Sequence, residues 1–333
     1  MAALDKRRFV SYNHGSAGEE GRRWGVSFQV ALSTVLLTLF YIAPGYLIGK
    51  ARRASADHLS SLSAVLIYIC APCMHVSAFL GMDFSWEAMG GMGLFFLVTL
   101  ALQSAFAFLL YLIFRRRYSD SGYRIFTVAS VLGNVGFFGL PIVRTLMPQN
   151  PETACYAAIY CVSMNVLAFT VGVFCLTGDK KHMSLRAATL NPTFIGFLTA
   201  IPLYMLGARN FIPEMLMNSV QLVGNMSTPL CMMILGIRLS TVPLKKLFGQ
   251  PLVYGISLSK LLAFPLFCYA LVLPLPLSVP FKASILILSA TPCASIILNL
   301  AEMHRSQTEL SADCVLVSTL MCFLTIPVLT LLL

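Results

Sequence analysis

The sequence predicts an all-α integral membrane protein with ten transmembrane helices, arranged as two inverted repeats of five helices each. Three observations carry this prediction. The chain of 333 residues is 58% hydrophobic and only 11% charged, whereas soluble domains carry about 25% charged residues. Apolar runs of about 18 residues or more recur along the chain between short polar segments, which is typical of membrane-spanning helices. Landmark residues also recur at a nearly constant spacing.

The apolar runs define the predicted spans and the organisation of the chain. A polar tail, 1–25, precedes the first repeat, 26–176, and a cytoplasmic connecting loop, 177–191, leads to the second repeat, 192–333. In chain order the ten spans cover 26–48, 60–80, 90–114, 124–144, 152–176, 192–209, 214–237, 250–273, 281–301 and 311–332.

The polar connections are too short to hold a soluble catalytic or nucleotide-binding domain, so we predict no enzyme, no cofactor and no metal site. Fourteen Lys and Arg residues lie in the connections after the odd-numbered spans or at the adjoining span ends, against eight on the other side, five of them in the tail. Lys and Arg concentrate on the cytoplasmic side of membrane proteins. We therefore predict a multi-pass protein of the cytoplasmic membrane with both termini outside. The net charge of +10 is then explained by the cytoplasmic connections and does not indicate a nucleic-acid partner. The lipid bilayer is the expected partner.

The repeat follows from pairs of landmark residues that are 157 or 158 positions apart. Because each repeat holds five spans, the second copy must enter the membrane in the opposite orientation to the first. Inverted repeats of this kind are typical of secondary transporters, in which alternating access exposes one midplane site to either side. The landmark pairs are Pro44 and Pro202, Pro72 and Pro229, Asn134 and Pro292, and Glu152 and Glu309.

Spans 4 and 9 are predicted to be broken helices that cross each other. Three glycines and Pro141 interrupt span 4, and Pro292 interrupts span 9; both residue types weaken a helix. Broken backbone survives in a membrane only inside the protein or beside a watery cavity. Helix ends there offer free N–H groups and a partial positive charge, which suit a carboxylate. The alternative for either break alone is a simple packing kink.

Ionisable residues inside the spans are few. No Asp or Glu lies near a span centre, so the sequence shows no carboxylate proton relay. Lys260, within span 8, is either a functional residue of the site or a side chain that extends to the membrane surface. His75 and His304 lie close to span ends and have no partners at the spacing of a metal site.

Several motifs resemble the auxin efflux carrier family, which includes plant auxin exporters and bacterial malate or malonate permeases. They are Asn134-Val-Gly-Phe-Phe-Gly139-Leu-Pro141, Asn191-Pro192-Thr193 and Ser227-Thr228-Pro229-Leu230. The resemblance extends from span 1 to span 10 and implies a ten-helix carrier of organic anions that forms a homodimer. It also implies that Asn134 lines the substrate site and that Pro141 and Pro292 mark the crossovers. One position departs from the family pattern, because Ile296 stands where family members usually carry Asn.

We therefore predict a secondary transporter that moves small organic anions, such as malate, malonate or auxin-like acids, by alternating access. The membrane potential drives a monoanion outward with about 2.3 kcal/mol per 100 mV, which favours efflux without a coupling ion. A sodium-coupled symporter of the bile-acid type is the alternative, because Asn, Ser and Thr oxygens can bind sodium. The predicted substrate-binding residues are Asn134, Gly136, Lys260, Ser295 and Asn299, and the predicted crossover residues are Gly139, Pro141 and Pro292.

Overall fold

The protein is helical throughout the part of the chain that the computed structural model describes, which comprises residues 27–189, 191–242 and 249–333. Within these ranges the β-type pairing is limited to an isolated bridge between Gly133 and Cys293. In the described part of the chain, seven helices are long and apolar enough to cross a membrane. The predicted class, an all-helical integral membrane protein, is thereby confirmed. The predicted tail, 1–25, lies outside the described residues.

We number the main helices α1 to α10 along the chain, with α4 and α9 each divided into two segments. The seven long helices are α1 (Phe28–Lys50), α2 (Asp57–Phe79), α3 (Trp86–Arg117), α5 (Glu152–Thr177), α7 (Glu214–Thr241), α8 (Pro251–Val272) and α10 (Thr308–Thr330). The shorter elements are α4a (Ser121–Ala129), α4b (Val135–Leu146), α6 (Pro192–Met205), α9a (Val279–Ser289) and α9b (Ser295–Met303).

Polar residues at the ends of the apolar runs set where several helices begin. The first N–H groups of a helix have no partner within the helix, and Asp or Asn at the preceding position can accept from them. At the start of α4a the Asp120 carboxylate accepts from the Gly122 N–H at 2.8 Å. At the start of α6 the Asn191 side chain accepts from the Thr193 N–H at 2.9 Å. Each of these residues therefore marks the start of a helix and accepts a hydrogen bond from one of its free N–H groups.

The helices pack in two groups. The first helix group consists of α1, α2, α6 and α7, in which the second part of α1 packs along α7 and α2 packs against both α6 and α7. The first part of α1 packs on α10 of the second group. The second helix group consists of α3, α4, α5, α8, α9 and α10, with α3 packed on α5 and α8 packed on α9 and α10. Each group takes helices from both halves of the chain. The two broken helices lie in the second group, where they face the first.

The contact between α1 and α7 brings the two backbones together at glycines. A Cβ atom on Gly236 would lie within 3.0 Å of backbone atoms of Ile42, Gly45 and Tyr46 in α1. In the same way, a Cβ atom on Gly45 would meet the backbone of Met233 in α7. Lipid gives no hydrophobic drive for helix association, so close packing through small residues is a main source of attraction. This contact therefore joins α1 to α7 within the first helix group.

We expect Gly236→Leu to destabilise the protein strongly, because the new side chain meets backbone that cannot rotate away. Overpacking of a core costs about 1–3 kcal/mol, and a backbone clash belongs at the upper end of that range. The matched control is Gly90→Leu in α3, where a Cβ atom would have no neighbour within 4 Å. Thermal denaturation in detergent measures the effect. Equal melting temperatures for the two variants would contradict this role for Gly236.

Candidate functional site

The breaks in α4 and α9 meet as short antiparallel stretches of extended backbone. The Asn134 N–H donates to the Pro292 carbonyl at 2.7 Å, and the Ala294 N–H donates to the Leu132 carbonyl at 3.0 Å. All four residues are buried. Backbone groups that lose their helical partners in lipid must be satisfied inside the protein. Here each break supplies the partners that the other has lost, so the two breaks stabilise each other.

The helix segments on either side of this crossing present ends of opposite polarity. Segments α4a and α9a end at the crossing with their carbonyl groups, and α4b and α9b begin there with their N–H groups. Asn134 precedes α4b and Ala294 precedes α9b, and neither side chain accepts a capping hydrogen bond. Two uncapped N-termini, each with a partial positive charge, therefore converge beside the crossing. Such ends bind anions in many proteins.

Lys260 of α8 lies at the carbonyl end of α9a. The residue is fully buried (0% exposed), and its ammonium group donates to the Ser289 carbonyl at 2.5 Å. Its nitrogen also lies 5.0 Å from the centre of the Phe264 ring. Because Ser289 is the last residue of α9a, the lysine places a positive charge at the negative end of that helix. The side chain does not extend to the membrane surface, and it is not part of the cavity described next.

A cavity of about 260 Å³ lies between the two helix groups, beside the N-terminal ends of α4b and α9b. Its walls come from α2, α4b, α5, α6, α7 and α9b. Four of the five predicted substrate-binding residues line it together: Asn134, Gly136, Ser295 and Asn299. Ile296, which replaces the Asn usual in the family pattern, lines it as well. The fifth predicted residue, Lys260, lies outside it.

Asn134 belongs both to the crossing and to the lining of the cavity. Its backbone takes part in the pairing of the breaks, and its carbonyl accepts from the N–H groups of Phe138 and Gly139 at 3.2 Å and 3.1 Å. The side-chain nitrogen has a weak contact with the Cys231 sulfur at 3.8 Å. An amide carries two donor hydrogens and an acceptor oxygen. Most of that hydrogen-bonding capacity is therefore available to a molecule in the cavity.

The three predicted crossover residues occupy different places. Pro292 lies in the crossing itself, where its carbonyl pairs with the break in α4. Gly139 lies in α4b, where a Cβ atom would come within 2.9 Å of the side chains of Leu288 and Thr291, so glycine permits the close approach to α9a. Pro141 lies further along α4b, in its helical part. Pro141 is the seventh residue of α4b and follows a wider turn of π-helix, Val135–Gly139, so the break in α4 does not coincide with this proline.

Comparison with known proteins gives the family. The sequence model of the membrane transport protein family matches this chain twice, over residues 30–185 and 179–330. The chain belongs to this family, the auxin efflux carrier family. It is also 25% identical over 301 residues to an uncharacterized transporter of Methanocaldococcus jannaschii, a match that covers 87% of this chain and 95% of the relative. The protein is thus a membrane transport protein, and the predicted resemblance is confirmed.

Further polar side chains line the cavity of this auxin efflux carrier family protein, and no sequence pattern relates them to one another. Arg238, near the end of α7, pairs with Glu302 of α9b at 3.2 Å. Asn165 of α5 is buried on the opposite wall. His75 of α2 is fully buried, and neither ring nitrogen has a hydrogen-bond partner among the described residues. The remaining polar lining residues are Ser63, Asn191 and Thr193.

A second cavity, of about 380 Å³, lies at the other end of the same interface between helix groups. It is lined by the end of α2, the end of α4b and the beginnings of α5 and α7, whereas the first cavity uses the opposite parts of α5 and α7. Its polar residues include Ser77, Arg144, Asn150, Arg209 and Gln221. The crossing and its neighbours in α2, α5 and α7 therefore separate two cavities that lie toward opposite ends of the helices.

Proposed function

We propose that this auxin efflux carrier family member is a secondary transporter that moves small organic anions across the membrane by alternating access. One observation carries the proposal. Two helix N-termini without side-chain caps converge on a cavity, mostly apolar but with several polar lining residues, at the point where two broken helices cross. A carboxylate placed there would receive hydrogen bonds from backbone N–H groups and the favourable field of two helix dipoles.

The proposed architecture is ten spans in two inverted five-helix repeats. The family model matches each half of the chain separately, and each half contains one broken helix as its fourth element. The two breaks pair in antiparallel orientation, as expected for copies related by a two-fold axis in the membrane plane. Secondary transporters of this design bind substrate near the midplane at broken helices. The first cavity is likewise lined by residues at the breaks of α4 and α9.

The polarity of the cavity supports an anion over a cation. Among the described residues that line it, none is Asp or Glu, and Arg238 at its mouth is paired with Glu302 of α9b. Asn134 and Asn299 bring amide groups to the lining. The hydroxyl of Ser295, at the first position of α9b, adds another donor. An anion buried without compensating donors would be costly, and these groups offer donors from both broken helices.

The two cavities support alternating access between the helix groups. The first cavity lies toward the connections after α1, α3, α5, α7 and α9, which carry most of the Lys and Arg residues. We propose that this side is cytoplasmic and that the structure represents a cytoplasm-facing state. Movement of the second helix group against the first would close this cavity and open the site toward the second, where Arg144 and Arg209 lie.

Counterflow in proteoliposomes tests the proposal. Vesicles loaded with unlabelled malate, malonate or indole-3-acetate receive the same compound in radiolabelled form outside, with and without sodium. We expect accumulation of at least one label without sodium, above that of empty vesicles. Exchange that requires sodium would favour the bile-acid type of symporter, to which the family match gives no support. Absence of exchange for all three labels would contradict the proposed substrate class.

A further inference from the structure

His75 is the buried polar group in the cavity that most clearly lacks a partner. Its side chain is 0% exposed, and both ring nitrogens are buried without a hydrogen bond to any described residue. A neutral imidazole carries one donor and one acceptor, and an imidazolium carries two donors. Buried polar groups nearly always find a partner. Because the ring nitrogens have no accessible surface in this structure, a molecule in the cavity reaches them only after a small shift of the neighbouring side chains, and the unpartnered imidazole points to such a molecule as its partner.

The position of His75 is fixed by packing and not by hydrogen bonds of its own. The part of α2 that carries it packs against α5, α6 and α7. Met74, the preceding residue, lines the first cavity, whereas Ser77 and Ala78, less than one turn further along α2, line the second. His75 therefore lies in the first helix group, close to the partition between the cavities and across the cavity from the broken helices that carry Asn134.

Among the described residues that line the cavity with this imidazole, none carries a carboxylate, and the Glu302 carboxylate of α9b is paired with Arg238 at the mouth. Of the charged and titratable groups on the packed helices, Cys161, Cys231 and Arg238 line the cavity with His75, and Glu152 and Glu214 lie at the far ends of α5 and α7. A carboxylate that pairs with the imidazole must then arrive with the substrate. The other titratable groups on these helices are Asp57, His58, Tyr68, Cys70 and Cys73 in α2, Cys155, Tyr156, Tyr160 and Cys175 in α5, and Tyr204 in α6.

We propose that His75 binds the carboxylate of the substrate in its protonated form, so that binding of the anion takes up one proton. The inference rests on the proposed function. The proton comes from the aqueous solution, the imidazolium N–H donates to a carboxylate oxygen, and the proton leaves again when the anion is released. A charge pair replaces a buried lone anion, which lowers the cost of burial.

This step has a consequence for the direction of transport. A dianion such as malonate, carried together with the proton on His75, still moves one negative charge, which the membrane potential drives outward. A monoanion such as indole-3-acetate moves no net charge together with this proton, so the membrane potential no longer drives it. The concentration gradients of the anion and of the proton then set the direction. The efflux predicted from the sequence assumed that the anion moves alone, and the number of charges moved per cycle separates these two possibilities.

Proton uptake by the wild-type protein provides the first test, because it needs no variant. Purified protein in weakly buffered detergent at pH 7 to 8.5, where carboxylic acids are ionised, receives malonate in the presence of a pH-sensitive dye. We expect an alkaline shift of about one proton per bound malonate, and an affinity that falls about tenfold per pH unit once the imidazole is neutral. A wild-type protein that binds malonate without proton uptake would overturn the inference.

His75→Gln provides the second test, with His182→Gln as the matched control, because His182 is exposed and outside the cavity. We expect His75→Gln to lose both the proton uptake and the pH dependence of malonate affinity, and His182→Gln to keep both. A His75→Gln variant with the wild-type pH profile would also overturn the inference, while counterflow by the wild type left the proposed function intact. If the wild type exchanges none of malate, malonate and indole-3-acetate, the proposed function itself is contradicted.

Discussion

Lys260→Met is expected to abolish transport and to lower the stability of the protein by about 2–3 kcal/mol. The ammonium group of Lys260 donates to the Ser289 carbonyl at the end of α9a from a fully buried position. A hydrogen bond to a charged group contributes about 1.5–3 kcal/mol, and the substitution leaves that carbonyl without this donor inside the protein. Because α9a enters the crossing at this residue, the loss also disturbs the pairing of the two breaks.

The matched control for this variant is Lys282→Met. The Lys282 ammonium also donates to a backbone carbonyl, that of Leu273 at 2.8 Å, but this contact is exposed to solvent. Exposed interactions of this kind contribute little. We therefore expect the control to keep the wild-type melting temperature and wild-type counterflow. A Lys260→Met protein that melts and transports like the control would show that the buried lysine does not hold the crossing.

Asn134→Ala is expected to lose transport while keeping the fold. The substitution removes the amide that faces the cavity and leaves the backbone hydrogen bond from Asn134 to Pro292 in place. Loss of a hydrogen bond to an anion costs about 1.5–3 kcal/mol, which corresponds to about 10- to 100-fold weaker binding. Asn134→Asp should be weaker still, because it places a negative charge beside the bound carboxylate. Counterflow and melting temperature measure the two effects separately.

The control for the Asn134 variants is Asn218→Ala, at an exposed position of α7 outside the first cavity. It should transport and melt like the wild type. Wild-type exchange by Asn134→Ala at subsaturating label would show that the amide does not contact the substrate. A low melting temperature for Asn134→Ala, by contrast, would assign the residue to the stability of the crossing.

The sequence alone was sufficient to predict the membrane class and the two broken helices. Membrane spans are recognisable in a sequence because a bilayer imposes a minimum length on each apolar run. Pro292 marks a break because proline removes a backbone donor. The position of the break in α4 was less predictable. Pro141 was expected at the crossover, but it lies within α4b, and the chain is unwound before Asn134.

The composition of the cavity was only partly predictable. Asn134, Gly136, Ser295 and Asn299 could be grouped because the repeat relates the two breaks, and they share one cavity. His75 could not be added to them, because the sequence does not show which face of α2 meets which neighbouring helix. Lys260 illustrates the same limit, since its intramembrane position was evident but its contact with Ser289 depends on how α8 packs against α9a.

A structure of the protein with a bromine-labelled carboxylate, such as bromomalonate, tests the central claim most directly. We predict a bromine signal in the first cavity, with the carboxylate between the N-terminal ends of α4b and α9b and within hydrogen-bond distance of Asn134 and Ser295. The same experiment on Asn134→Asp should show this site empty. A carboxylate bound only in the second cavity, or only beside Arg238 at the mouth, would contradict the placement of the substrate site at the helix crossing.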